Sequence, residues 1–471
     1  MKKSLIILLF HFFSFGQELI FETNLPIIVI DTQNQIILDD PPIICNMGII
    51  NNTNELNRLI DPFNDYNGKI NLEIRGRSSQ GAPKKSYRVE TALANGENNN
   101  VSLLNLPKEN DWILYGPYID KTLARNVLAY ELYREMGHYS SRSRYCELFI
   151  NNEYQGIYIL MEKLKRDNNR IDIEKISNND ETGGYIIEIN HSDSSVLSNN
   201  EYFVSFQDNS LGGGPILFEF YYPDYDDITK EQKNYIQNHI FNFEAVLTNS
   251  LYSDLEIYFD EWIDVNSAID FFLIEELAKS IDGYRGSTFF YKDKESINNK
   301  IFFGPIWDFN LAFGISSQCD GDEYFGWTND APCTAGNISW FNQFNKDSIY
   351  ANQVHCRWID LRNSTLRISS IFEKIDSISN IISGSIIRNF EQWNQDISTL
   401  GYYFKIQELK IWIRNRLNWL DDNMIGSCEG LIYDKRSLIK KTDILGRNSN
   451  KKGIQLYIYN DGSVEKKYVI E

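Results

Sequence analysis

Short apolar runs alternate with polar punctuation along most of the first half of the chain. Leu25-Pro-Ile-Ile-Val-Ile30 and Gln35-Ile-Ile-Leu38 come first, and Asp39-Asp-Pro-Pro42 breaks the second. Branched side chains pack well on a pleated surface and proline cannot donate to a ladder, so this pattern predicts strands and turns. Lys69–Arg77 and Ser86–Glu90 also read as extended, on either side of a basic stretch. Arg144–Ile150 and Gln155–Met161 straddle Asn151-Asn152, the pattern of a hairpin with a tight turn. Gly183-Gly-Tyr-Ile-Ile-Glu-Ile189 is a further strand.

Helical spacing takes over in places. From Lys121 to Met136, Leu123, Val127, Ala129, Tyr130, Leu132 and Tyr133 recur at near-helical intervals, and Gly137 stops the run. Helices are also predicted over Thr229–Thr248 and Val265–Ser280, with strands returning at Ser287–Lys292 and Ile301–Ile306. From Trp358 to Asp422 helix patterns dominate. This order predicts an α+β fold. The predicted layout is a leader at 1–16, a β-rich segment at 17–68, a main domain at 69–428 and a β tail at 429–471.

Composition narrows the function. The chain is 42% hydrophobic, which predicts a sizeable core rather than disorder. Its net charge of −19 argues against a nucleic-acid partner, because a phosphate backbone needs a basic face. The basic patch at Arg75–Lys85 therefore stands out.

Met1-Lys-Lys3, an apolar stretch from Leu5 to Phe15 and Gly16-Gln17 have the form of a secretory signal, too short to span a bilayer. No later stretch is long and apolar enough to span, so no transmembrane segment is expected and the mature protein should lie outside the cell or on its surface. Six cysteines are sparse for a disulfide scaffold, although export permits pairing. Cys319, Cys333 and Cys356 cluster closely enough for a local bridge, and zinc is disfavoured because no Cys-x-x-Cys pair occurs.

Four stretches carry candidate chemistry. In Ile74-Arg-Gly-Arg-Ser-Ser-Gln-Gly-Ala-Pro-Lys-Lys-Ser-Tyr87, small residues allow close backbone approach and four cations suit a polyanion. Ala82-Pro83 follows Gly81 where a P-loop needs Lys and Ser or Thr, so the segment is either a different phosphate cradle or a solvated basic turn. Ile306-Trp-Asp-Phe-Asn-Leu-Ala-Phe-Gly314 sets Asp308 and Asn310 at a strand end, which suits an oxygen-ligated Mg²⁺ or simply a capped loop. Asp282 in Ser280-Ile-Asp-Gly-Tyr-Arg285 could face a substrate hydroxyl or a metal, or serve only a turn. Tyr154–Lys165 is a strand ending in Glu162 and Lys163, which read as a nucleotide contact or as surface charge.

Together these stretches resemble the CotH kinase family. The resemblance also draws on Asp111-Trp112, Asp120-Lys121, Arg125-Asn126 and the Arg357–Arg362 segment, and runs from about Leu25 to Arg362. It implies an atypical protein-kinase-like fold that transfers phosphate from ATP with Mg²⁺ (or Mn²⁺) to an unknown protein acceptor. Arg75, Gly76, Ser78, Ser79, Lys84 and Lys85 would lie over the phosphates, with Glu162 near the nucleotide. Asp308 resembles the metal-binding aspartate and Asp282 the other essential acid. Asn310 stands where many members carry a second Asp, which removes a charge.

The tail, with Asp443-Ile-Leu-Gly-Arg447 and Gly462-Ser-Val-Glu-Lys-Lys467, resembles the C-terminal sorting tails of type IX export and would make export machinery a partner. Two rivals remain at this stage. One is a non-catalytic surface or adhesion protein on the same fold. The other is a carbohydrate-active hydrolase, for which no acid–nucleophile pair can be assigned.

Overall fold

The computed structural model describes residues 21–190, 201–205, 216–250, 259–330, 340–428, 438–443, 453–459 and 464–469. The expected signal at 1–16 lies outside the described residues, as do Cys333, residues 444–447 and the turn at 460–462.

In chain order the first strands are β1 (Glu22–Thr23), β2 (Ile27–Asp31), β3 (Ile43–Ile50), β4 (Asn57–Arg58), β5 (Tyr66–Arg75), β6 (Ser86–Ala92), β7 (Asp111–Tyr115), β8 (Ser143–Ile150) and β9 (Glu153–Glu162). β1 pairs with β4 alone, and the others close a barrel in the order β2-β3-β5-β6-β7-β9-β8. Closure comes from the parallel pairing of β2 with β8, where Ile27 meets Glu147 and Ile30 meets Ile150. The two-residue period fills the interior, with Ile28 and Ile30, Met47 and Ile49, and Ile70 and Leu72 pointing inward. β5 runs from Tyr66 to Arg75, so a boundary at 68/69 would cut a barrel strand and the β-rich segment is part of the barrel.

β9 explains an unbroken apolar run in the sequence. Tyr158 and Leu160 enter the barrel, while Ile157, Ile159 and Met161 pack outward on the core around α1 (Arg125–Glu135). The helix starts later than its apolar spacing suggests. Asp120 accepts the N–H groups of Ala124 and Arg125, and Leu123 adopts φ 57°, so residues 121–124 form the entry turn. Gly137, at φ 106°, ends it.

The second half is built on an antiparallel sheet of β10 (Tyr185–Asn190), β11 (Tyr202–Val204), β12 (Leu217–Tyr222), β13 (Thr288–Lys292) and β14 (Ile301–Phe303), ordered β11-β12-β10-β13-β14. Around it lie α2 (Lys230–Ser250), α3 (Val265–Ala278), α4 (Trp340–Phe344), α5 (Ser348–Arg362), α6 (Ile368–Ile382), α7 (Ile386–Gln392) and α8 (Thr399–Asn423). α3 is buried on almost every side, from Ser267 to Ala278, which makes it the axis of this half. Asp264 caps it by accepting the Ser267 N–H at 2.7 Å. Its polar interior is satisfied at Glu276, which accepts the N–H groups of Thr328 and Asn329 and pairs with the fully buried Arg416 at 3.2 Å.

β15 (Leu438–Asp443), β16 (Gly453–Tyr459) and β17 (Val464–Val469) form a separate three-stranded antiparallel sheet. Its first strand ends at Asp443, where the sequence pattern places a strand's beginning. No helix among the described residues is long and apolar enough to cross a membrane.

One member of the cysteine cluster, Cys356, pairs at long range rather than within the cluster. Cys356 on α5 pairs with Cys428 beyond α8, 72 residues away, while Cys45 and Cys146 are free and buried. Cys319 is disulfide-bonded as well. Cross-linking a loop of that length removes much unfolded-state freedom. Cys356→Ser with Cys428→Ser should lower unfolding stability by about 2–4 kcal/mol in urea titrations, against no change if the two thiols are unlinked.

Candidate functional site

The barrel and the second sheet face each other across a cleft of about 580 Å³. Arg75, the last residue of β5, enters it beside Gly76, which needs its φ of 112°; a Cβ there would stand 2.0 Å from the Ser79 Oγ. Ser78 opens a single tight turn, Ser78–Gly81, before the chain returns as β6. Gly76, Ser79, Ser86 and Arg77 line the same wall.

The opposite wall comes from two loops. Asp282 lies in the turn after α3, where its carbonyl accepts the Gly286 N–H at 2.9 Å. Asp308 follows β14 in the left-handed region, φ 62° and ψ 54°, ahead of the short turn Phe309–Leu311 that carries Asn310. A non-glycine residue held there signals local constraint, and four contacts supply it. The Asp308 N–H donates to the Tyr130 hydroxyl at 3.2 Å. Tyr130 stacks on Trp307 at 6.0 Å, and the Arg75 guanidinium sits 5.7 Å from the centre of the same Trp307 ring. Arg125 donates from Nε to the Ala312 carbonyl at 3.0 Å, while Asp120 holds its Nη1. Helix α1 thus anchors the Asp308 loop at both ends.

The chemistry of the cleft is oxygen-rich. Asn126 on α1 and Asn310 both line it, and the Oδ1 atom of each is buried without a hydrogen-bond partner among the described residues. Buried acceptors are rarely left unpaired. With Asp282 and Asp308 they form a set of hard oxygen donors that fits Mg²⁺ or Mn²⁺. No group of three His, Cys, Asp or Glu able to hold a metal occurs among the described residues. Amide oxygens and ligand oxygens would therefore complete the shell.

Two further acids were missed by sequence reasoning. Glu188 on β10 and Glu219 on β12 are direct cross-strand partners that line the cleft. Glu219 pairs with Arg77 at 3.5 Å. Burial, reinforced by Glu219 and opposed by Arg77 and Arg75, pushes the Glu188 carboxyl up to about 8. The available signal was a lone acid inside the apolar run Tyr185-Ile-Ile-Glu-Ile189. A side chamber of about 200 Å³ shares Arg75, Glu188 and Trp307 with the cleft and adds Lys163, Tyr221 and Phe289.

Three residues expected over the phosphates or nucleotide lie elsewhere. Lys84 is buried under the barrel, donating to the Ile157 carbonyl at 2.6 Å and the Asn389 amide oxygen at 2.7 Å. Burial drops its pKa to about 7. Lys85 donates to the Gln80 carbonyl, so it braces the turn from behind. Glu162 is fully buried and held by Arg142 at 2.9 Å, with its other oxygen accepting the Arg142 N–H. None of the three lines the cleft.

A family model described as "CotH kinase protein" matches residues 72–420. Among solved structures, the chain is similar to one titled "Crystal structure of A Helicobacter pylori proinflammatory kinase CtkA". That likeness has 9% identity and a TM-score of 0.30, over 71% of this chain and 93% of the other. No curated protein matches the chain.

The Lys84 placement has a measurable consequence. Folded Lys84 loses its proton near 7, whereas the unfolded side chain keeps it to about 10.5. Between those values the unfolded chain binds more protons, so the Lys84 contribution to stability rises with pH. From pH 6.5 to 8.5 the wild type should gain about 2 kcal/mol relative to Lys84→Met in urea unfolding, and nucleotide affinity should not change. A parallel pH dependence in both proteins, or a large loss of affinity, would contradict this placement.

Proposed function

The chain belongs to the CotH kinase family, and on that premise we propose that it transfers the γ-phosphate of ATP, with Mg²⁺ or Mn²⁺, to Ser or Thr hydroxyls of exported or surface proteins. One observation carries this reading: the Arg75–Ser79 turn, Asp282, Asp308 and Asn310 line a single cleft.

Phosphoryl transfer asks a protein mainly for position and charge neutralisation. Arg75 and the backbone of the Gly76–Ser79 turn would hold the phosphates, with Gly76 permitting close approach. Asp308 and Asn310 would hold the metal, with Asn126 near them, and the metal would neutralise charge on the transferred group. Asp282 would orient the acceptor hydroxyl and take its proton at the carboxylate. The side chamber, walled by Trp307, Tyr221 and Phe289, offers flat apolar surface for the nucleobase. Glu188, uncharged below about 8, can stand near phosphates without repelling them.

Export belongs to the same proposal. The lysine-led apolar N-terminus would direct secretion, and the C-terminal β tail would engage type IX export machinery. The Cys356–Cys428 bridge supports an oxidising destination. A second reading, a non-catalytic surface-binding protein on this fold, is favoured by one feature: Asn310 supplies no charge where many family members carry an acid.

Asp308→Asn separates the two readings. Asn tolerates the left-handed backbone that Ala would strain, so the fold should survive. Mg²⁺-dependent transfer of labelled phosphate to casein should fall at least about 100-fold at an unchanged melting temperature. No incorporation by the wild type would leave the binding reading standing, and equal incorporation by both proteins would overturn the role given to Asp308.

Glu188 should also make ATP affinity pH-dependent. Above its folded pKa of about 8 the carboxylate becomes anionic beside the phosphates, so the dissociation constant should rise between pH 7 and 9. In Glu188→Gln that rise should be lost. Calorimetric titration at the two pH values measures it.

A further inference from the structure

A second concave site lies away from the cleft, on the outer side of α2. It is a groove of about 430 Å³, within the size range of small-ligand sites. Glu231, Asn234, Tyr235, Asn238, His239 and Asn242 face it from α2, at the spacing of one helical stripe. Glu181, Trp262, Glu295 and Asn299 form the other side. A solvated helix face usually carries mixed charges, yet this stripe is mostly amide and aromatic.

His239 points to a ligand. It is only 7% exposed, stacks on Tyr235 at 6.2 Å and tilts against Trp262 at 5.3 Å. His239 lines the polar groove, and its buried Nε2 has no hydrogen-bond partner among the described residues. Leaving such an atom unpaired is costly unless something from outside completes it. Burial, reinforced by Lys292, lowers its pKa to about 4, so the ring presents neutral hydrogen-bonding capacity rather than charge.

We propose that this groove binds a neutral carbohydrate chain. Each of Asn234, Asn238 and Asn242 offers a donor and an acceptor on one group, which matches the paired hydroxyls of a sugar, and Asn299, whose Oδ1 accepts the Tyr235 hydroxyl at 3.4 Å, adds amide N–H groups. The half-buried Trp262 offers a flat apolar face for the C–H side of a pyranose ring, while Tyr235 is packed between Tyr185, His239 and Lys292 and braces the groove wall. Glu181, Glu231 and Glu295 can accept hydrogen bonds from sugar hydroxyls, and they would repel uronic or sialic acids. Among the described residues, no Lys or Arg lines the groove. Lys292 packs 5.2 Å from the Tyr235 ring and donates to the Asp293 carbonyl, so its charge is used within the fold. A basic peptide would engage the carboxylates but leave the four amides without a role.

The test is isothermal titration of the full chain with hexasaccharides of glucose, mannose and N-acetylglucosamine, with hexagalacturonate and hexalysine as comparisons. At least one neutral hexasaccharide should bind saturably. Trp262→Ala should weaken it tenfold or more. So should Asn238→Ala with Asn242→Ala, where both residues are exposed and removing them leaves the core intact. Nucleotide binding should be the same in every variant, which separates this site from the cleft. The proposal is overturned if no neutral hexasaccharide binds, if hexalysine or hexagalacturonate binds instead, or if both variants match the wild type.

Discussion

The arrangement depends on how Asp308 is held. Its backbone adopts a conformation that a side-chain-bearing residue rarely takes, and Tyr130, Trp307 and Arg125 keep it there. Arg125 is itself fixed by Asp120, which also caps α1. One helix therefore positions the acidic loop and contributes Asn126 to the same cleft, while its apolar face packs on β9 of the barrel. If α1 shifted, the anchors of Asp308 would move with it. The apolar core thus sets the geometry of a polar site.

Electrostatics makes the cleft unusual for this chain. A protein of net charge −19 would repel a polyphosphate over most of its surface. Inside the cleft, Arg75, Arg77 and Arg285 oppose Asp282, Asp308, Glu188 and Glu219. Because Glu188 is neutral below about 8, the balance near neutral pH is closer to even than the residue count implies. Such a site accepts an anion most readily when the anion arrives with its own divalent cation.

Much of the fold can be read from local pattern. The helices over 230–250 and 265–278, the hairpin around Asn151 and the strands flanking the basic turn follow from periodicity and turn chemistry. Barrel closure does not, because the parallel pairing of β2 with β8 joins strands more than a hundred residues apart and leaves no local signal. The site divides in the same way. Arg75, Gly76, Ser79, Asp282, Asp308 and Asn310 stand at strand ends and turns, where polar side chains announce themselves, and they line one cleft. Lys84 and Glu162 look alike in sequence, yet their surroundings are set by distant partners: Asn389 lies 305 residues from Lys84, and Arg142 and Arg170 approach Glu162 from other elements. Asn126 and Glu188 sit inside regular elements, where an apolar pattern conceals single polar positions.

The central claim is that a basic turn from the barrel and acidic loops from the second sheet hold one metal–nucleotide complex between them. Co-crystallisation with Mn²⁺ and a non-hydrolysable ATP analogue tests it most directly, because manganese is located by its anomalous scattering. The account predicts a manganese peak bounded by Asp308 and Asn310, with the analogue's phosphates against the Arg75–Ser79 turn. Manganese and nucleotide bound outside that cleft, or no binding at saturating concentrations, would contradict it.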